Sequence, residues 1–276
     1  MTPDAAIAAL RAEADPALAA REAAQLTTPR EIIGLRVPRI TELATAWRQD
    51  LTLDERLALA DGLWRAGIHE SRIAAVKLLV QARIRPDDQG AWDLIASWVA
   101  EVDDWAIADH VADAGARRLS ADPARLDQVE AWIGSDHMWT RRAALVMTLP
   151  WTRSNNPKAA DLAVRERVLA WAAALVTDRD PQIQAAIAWW LRELSKHDEP
   201  RVRAFLEEHG AALSRGARNE AAKHLDPKPV YAIPAPQSAT PDAVNEDDGW
   251  DDEDWGEEDW DDEDEGDEDD TGEDDK

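Results

Sequence analysis

Apolar residues along the first 225 positions recur at three- and four-residue steps, the spacing of a helix face and not the alternation of a strand. Leu126, Val129, Trp132 and Ile133 are one such face, enclosed by polar residues. Asp-Pro pairs stand between the periodic stretches. Asp122-Pro123 and Asp180-Pro181 place a capping carboxylate ahead of a proline whose fixed φ and missing N–H suit a first helical turn. Pro86, Pro157 and Pro200 add to this pattern: these prolines mostly sit where a helix would begin, just after a loop. Ala, Leu, Arg and Glu, strong helix formers, fill the stretches themselves. No β-branched run alternates with polar residues between Asn-Gly or Asp-Gly turns. The pattern predicts about a dozen helices in residues 1–225 and no sheet.

A repeat is superimposed on this periodicity. Trp98 is followed seven residues later by Trp105, and Trp132 seven residues later by Trp139. In each pair the first Trp ends one helix and the second opens the next. A helix rich in small residues follows, Arg142-Ala143-Ala144-Leu145, echoed upstream by Arg72-Ile73-Ala74-Ala75-Val76. A third unit runs from Trp171 through Ile183-Gln184-Ala185-Ala186-Ile187. The steps Trp98 to Trp132 and Trp132 to Trp171 are 34 and 39 residues, the period of paired-helix solenoids. The predicted fold is therefore all-α: a HEAT-like helical-repeat solenoid whose concave face suits an elongated partner.

Composition divides the chain in two. The whole carries a net charge of −26 over 276 residues, but residues 241–276 hold 23 acids and one base. The other 240 residues carry only −4. Residues 1–225 read as the repeat domain, 226–245 as a Pro-rich linker and 246–276 as a disordered acidic tail with Trp250, Trp255 and Trp260 at five-residue spacing. Within the body, residues 135–225 are net +3 and residues 1–134 net −7, so a basic stripe is expected in the second half. Arg153, Lys158, Arg215, Arg218 and Lys223 are further candidates for that stripe.

The absence of cysteine excludes disulfide scaffolds, Cys zinc sites, iron–sulfur clusters and thiol nucleophiles. The six His residues lack His-x-x-x-His spacing and there is no Gly-rich phosphate loop, which excludes a metal hydrolase and a nucleotide hydrolase. No cofactor is implied. Residues Met1–Arg11 lack the apolar block of a signal peptide, and the longest apolar run, Val168–Val176, is too short to span a bilayer. The chain reads as a soluble, cytoplasmic monomer.

Candidate chemistry rests on polar residues set inside apolar helices. Trp105 and Asp109 lie four apart, so they share a helix face, where indole and carboxylate together suit a positive centre. The alternative is a solvated Asp109 and a core Trp105. Arg141 and Arg142 open the helix after a cap at Ser135 or Asp136; they suit a phosphate, or equally a salt bridge between repeats. Trp189 and Trp190 point about 100° apart on a helix, so one of them is free to reach the concave face while the other fills the core.

These segments together resemble the AlkD-like DNA alkylation repair glycosylases, which are HEAT-like solenoids. The resemblance is carried by Trp105-x-x-x-Asp109, by Ser135-Asp136-x-x-Trp139-x-x-Arg142-Ala143-Ala144, and by Ile183-Gln184-x-Ala186-Ile187-x-Trp189-x-Leu191-Arg192-Glu193 with Ser195-Lys196. Gly34-x-x-x-Pro38 completes it, over roughly residues 30–225. The resemblance implies excision of cationic N3- and N7-alkylated purines from double-stranded DNA without base flipping. It assigns Asp109 as the catalytic carboxylate, Trp105 and Trp189 to the lesion's deoxyribose and backbone, and Arg142 to phosphate, with Arg192 as a lesser phosphate contact; Arg141 is a DNA-contact candidate from its place in the basic stripe. The chain departs from the family pattern at Ala185, commonly Lys, at Ala188, commonly Gly, and in having no aromatic ahead of Gly34. Those departures favour the rival reading, a non-catalytic HEAT-repeat protein that binds DNA or protein. The acidic tail reads either as a solubilising extension or as a DNA mimic that binds the chain's own DNA-binding face or a basic partner.

Overall fold

The computed structural model describes residues 1–26 and 28–229. The expected linker from residue 230 onward and the acidic tail lie outside the described residues. The order of helices is α1 (Pro3–Ala12), α2 (Pro16–Gln25), α3 (Val37–Gln49), α4 (Leu53–Arg65), α5 (His69–Lys77), α6 (Gln89–Val99), α7 (Trp105–Ala121), α8 (Leu126–Glu130), α9 (Met138–Val146), α10 (Ala159–Leu175), α11 (Pro181–Ser195), α12 (Glu199–His209) and α13 (Arg215–Ala221). Among the described residues there is no strand, only an isolated parallel bridge between Glu31 and Ile68. No helix there is long and apolar enough to cross a membrane.

The helix starts follow local chemistry. Side chains of Thr2, Asp15, Thr52, Asp104, Asp180, Asp198 and Ser214 each accept an N–H from the first turn they precede. Pro181 and Pro200 sit in first turns as anticipated, and Asp122 caps a short 3₁₀ turn, Pro123–Arg125. The cap of α9 differs from expectation. His137 occupies the N-cap position without a side-chain cap bond, and the Ser135 hydroxyl accepts from the His137 N–H at 3.2 Å. Ser135 and Asp136 thus order the approach to the helix and do not cap it.

Packing sorts the helices into two layers. The helices α3, α5, α7, α9, α11 and α13 form one row in which each packs on the next. The companions α4, α6, α10 and α12 lie behind, against α5, α7, α9 and α11 respectively. Small side chains permit the close approach. A Cβ on Gly115 of α7 would stand 2.4 Å from the Met147 sulfur just past α9, and Ala144, Ala186 and Ala188 are fully buried. The result is the HEAT-like solenoid predicted from the Trp spacing.

Contacts between polar groups repeat with the same period, because each repeat touches only its neighbours. Trp64 donates its indole N–H to Glu101, Trp92 to Gln128 and Trp171 to Glu130, across 37, 36 and 41 residues. Arg201 pairs with Glu166 at 2.7 Å across 35 residues. One buried joint of this kind holds two guanidinia on one carboxylate. Arg125 reaches Asp88 at 2.5 Å, and Arg118, which has no exposed surface, reaches it at 3.1 Å while also donating to the Gln81 and Ala82 carbonyls.

The Arg125 hydrogen bond holds the Asp88 carboxyl below the usual carboxylate range, so the joint stabilises the fold above the ordinary Asp pKa and is lost as pH falls through the depressed folded value. Asp88→Asn is expected to cost about 3 kcal/mol, since it leaves two buried guanidinia without their counter-charge. It should lower Tm by roughly 5–10 °C at neutral pH and flatten the acid limb of the stability profile below about pH 4. Thermal melts from pH 2 to 7 check both.

Candidate functional site

The candidate site begins at the N-terminus of α7. Asp104 caps that helix, accepting the Ile107 N–H at 2.9 Å through one oxygen. Its other oxygen pairs with Arg30, whose guanidinium also reaches Asp103 at 2.5 Å. Both the Arg30 and Asp104 side chains are buried, at 6% and 2% exposure. His69 lies 3.8 Å from the same Asp104 oxygen, and burial lowers its pKa, so it stays neutral.

Arg30 is held in turn by the segment that follows it. The Glu31 carbonyl accepts the His69 N–H at 2.8 Å. Glu70, in the first turn of α5, is 1% exposed and accepts backbone N–H groups from Ile33, Gly34 and Leu35 at 3.0, 2.5 and 3.3 Å. Gly34 takes φ +78°, and a Cβ there would lie 2.1 Å from the Asp15 carbonyl oxygen. The Gly34-x-x-x-Pro38 segment is thus a strap pinned between the start of α2 and the start of α5.

On the free side of α7, Trp105 is 44% exposed, one of few large apolar side chains so placed among the described residues. Asp109 follows one turn later, its side chain 34% exposed. Arg142 on α9 lies beneath it at 3% exposure and donates Nη1–H to Asp109 at 2.7 Å. Its guanidinium also sits 5.8 Å from the Trp139 ring centroid. The neighbouring residue His110 supplies no positive charge to this pair: burial first, then the charge of Lys77, lowers its pKa to about 3. A recess of about 200 Å³, its open mouth included, adjoins the pair and is lined by Val99, Val102, Ala108, Val111, Trp139, Arg142 and Ala143.

The structure therefore brings Asp109 and Arg142 into direct contact with Trp105 one turn away. Trp189 stands half-buried on α11, which packs along α9, while Trp190 is fully buried. Ala185, Trp189, Arg192 and Lys196 share one face of α11. Arg141 and Arg192 are engaged elsewhere: Arg141 with Asp178 at 2.9 Å and the Ser135 and Asp136 carbonyls, Arg192 with Glu193 and Glu220. Among the described residues no cluster of His, Asp or Glu could hold a metal ion.

The family model of the DNA alkylation repair enzymes matches residues 6–225. The chain belongs to this family. Its fold is shared with solved structures of low identity. One is titled a predicted DNA alkylation repair enzyme from Enterococcus faecalis: TM-score 0.66, 19% identity, 78% of this chain and 97% of that one. AlkD2 from Streptococcus mutans aligns at TM-score 0.55 and 19% identity, covering 70% of this chain and 91% of its own. The smu.31 protein of Streptococcus mutans UA159 aligns at TM-score 0.53 and 18% identity, covering 69% and 93%. No curated protein matches the sequence.

Sequence reasoning missed Arg30, His69, Glu70 and Asp104. The one local signal was Asp104 just before the helical run that Trp105 opens, a capping pattern. In this alkylation-repair fold the four set where α7 begins, and hence where Trp105 and Asp109 stand. Arg30→Met is expected to leave Asp104 buried without its cation and to cost about 3 kcal/mol. Adding Asp104→Asn should recover part of that loss, because the amide oxygen still caps the helix and no charge remains buried. Denaturant titration of the two single variants and the double variant measures the coupling; additive losses would contradict it.

Proposed function

We propose that this member of the DNA alkylation repair family is a DNA glycosylase that hydrolyses the N-glycosidic bond of cationic N3- and N7-alkylated purines. The observation that carries the reading is Asp109: a carboxylate open to solvent beside an exposed indole and aimed by a buried guanidinium.

The chemistry follows from the substrate. An alkylated purine that already bears positive charge departs readily, so proton donation to it contributes little. The barrier lies in the oxocarbenium character that the sugar develops as the bond breaks. A fixed carboxylate stabilises that cation and orients the attacking water, as in glycoside hydrolysis generally. In this reading Asp109 fills that role, and Trp105 and Trp189 pack against the deoxyribose and backbone of the lesion. The recess beside Arg142 has room for about one water and none for a purine, in keeping with a base that stays stacked and is not flipped out.

Arg142 has two tasks open to it. Its bond to Asp109 fixes one carboxylate oxygen and leaves the other for the sugar or the water. A phosphate would meet it only at the edge that Asp109 leaves uncovered. Arg141 and Arg192 would contact phosphate by exchanging one anion for another, because carboxylates already hold them. The rival reading, a non-catalytic DNA- or protein-binding solenoid, draws on that prior engagement and on Ala185 and Ala188. The enzyme reading invokes no metal or cofactor, and a single chain suffices for it.

Incubation with duplex DNA carrying N7-methylguanine, at low salt and excess protein, tests the proposal. Wild type is expected to release the base above the spontaneous rate, and Asp109→Asn to slow release by about a hundredfold or more while still binding the duplex. Release by wild type no faster than by Asp109→Asn would leave the binding reading.

A further inference from the structure

Two helices of the inner row, α5 and α7, are buried except for narrow stripes. Between His69 and Leu79 only Arg72 and Lys77 reach solvent. Between Trp105 and Leu119 the stripe is Trp105, Ala106, Asp109, His110, Asp113 and Arg117, which advance by three and four residues along one side of α7. Asp109 and His110 therefore open onto the same surface. Most charges on the open sides of α5, α7, α9 and α11 already have partners. Arg72 lies 4.2 Å from the Trp64 ring centroid and donates to the Glu101 carbonyl at 2.9 Å. Asp113 holds Arg117 at 3.2 Å, Asp109 holds Arg142, Asp178 holds Arg141, Glu220 holds Arg192 and Glu193 holds Lys196. Lys77 has no hydrogen bond and no ion pair among the described residues.

Lys77 stands beside His110. The helix α5 packs along α7, and after burial the Lys77 charge is the main influence that keeps the His110 ring neutral. A neutral imidazole offers one N–H donor. His110 makes no hydrogen bond with another described residue, and neither ring nitrogen is buried without a partner. No carboxylate has taken the ammonium. Asp109 and Asp113 are held by Arg142 and Arg117, and Asp50 and Asp54, where α3 ends and α4 begins beside α5, are exposed and form no pair with it. The last turn of α3 adds another cation, Arg48. An ammonium without an anion, next to a neutral N–H, is the complement of a single phosphate. In the row of helices α9 and α11, with Arg142 and Trp189, lie on one side of α7, and Lys77 lies on the other. Packed helices stand about 8–10 Å apart, which is about two to three nucleotides at roughly 3.4 Å each.

We propose that Lys77 and His110 form a seat for one DNA backbone phosphate on the α5 side of Asp109. Lys77 supplies the charge and His110 a directional N–H. Together with the contacts assigned to Arg142 and Trp189, the seat holds the strand at two points, with the reacting sugar over Asp109 between them. The seat rests on DNA being the ligand of the inner face; it does not depend on base release.

The full chain's affinity for an undamaged duplex, followed from about 50 to about 300 mM salt, tests the seat. Lys77→Met keeps the aliphatic stem and removes the charge. It is expected to weaken binding about tenfold at low salt and to reduce the slope of log affinity against log salt by about 1, while Lys77→Arg keeps both near wild type. His110→Leu removes an N–H and no charge, so a loss of about threefold at an unchanged slope is expected. Arg65→Met makes the same charge change on the exposed side of α4 and is expected to alter affinity little. An equal loss in Arg65→Met reports net charge alone and overturns the seat, as does a Lys77→Met chain with wild-type affinity and slope. A cation in the last turn of a helix also complements its dipole. A lowered melting temperature of Lys77→Met with unchanged duplex affinity assigns Lys77 to that role and overturns the seat. Unchanged affinity in His110→Leu overturns the two-group seat. Wild type that binds no duplex at low salt overturns the DNA reading and the seat with it, whereas intact wild-type binding that ignores Lys77 overturns the seat alone.

Discussion

A guanidinium taken out of water costs several kcal/mol unless an anion or a set of carbonyls accompanies it. This solenoid buries Arg56, Arg118, Arg125, Arg142 and Arg165 at 8% exposure or less, and the acceptors usually come from a neighbouring repeat. Arg118 and Arg125 take Asp88, Arg142 takes Asp109, and Arg165 takes the carbonyls of Trp151 and Ser154 at 2.7 Å. Apolar stacking of small residues brings the helices close but leaves neighbouring repeats free to slide. A charge with one acceptable partner does not. The buried arginines therefore set the register between repeats, and the geometry of the inner face inherits it.

The Asp109–Arg142 contact shows how far that dependence extends. It needs α7 and α9 close together, which Gly115 permits by leaving room for Met147. It also needs α7 to start at the right place, which the buried Arg30–Asp104 pair and the Glu70-bound strap determine. A substitution in the strap, far from Asp109 in sequence, thus acts on the site through helix position and not through the carboxylate itself. The same logic ties the α2 end of the molecule to the site, since Gly34 packs on the Asp15 carbonyl.

Much of this was readable from the sequence, and the boundary is physical. Helices announce themselves through local periodicity and local caps, so the helical body and its repeat were legible, as was the split of Trp189 and Trp190 between core and surface, though not which of them takes the core. The shared face of Trp105 and Asp109 was legible too, being a four-residue relation. Glu70 and Arg30 were not. Their partners lie 35–37 and 74 residues away, and a Glu at the start of a helix or an Arg in a loop looks like any solvated residue until the chain folds around it. Arg142 was legible as a cation at the right spacing, but its burial beneath Asp109 was not. A phosphate contact and a carboxylate contact draw on the same chemistry, and only tertiary structure separates them.

That ambiguity has a consequence for how the inner face could bind a polyanion. Arg141, Arg142 and Arg192 already hold carboxylates, so a phosphate arriving there gains only the difference between two anionic partners. More of the electrostatic attraction would then come from exposed cations at the margins, such as Lys223 and Lys228, whose side chains remain in water where long-range charge still acts. A body of net charge −4 with its central arginines already paired would draw a polyanion mainly through its periphery, and not through the arginines nearest Asp109.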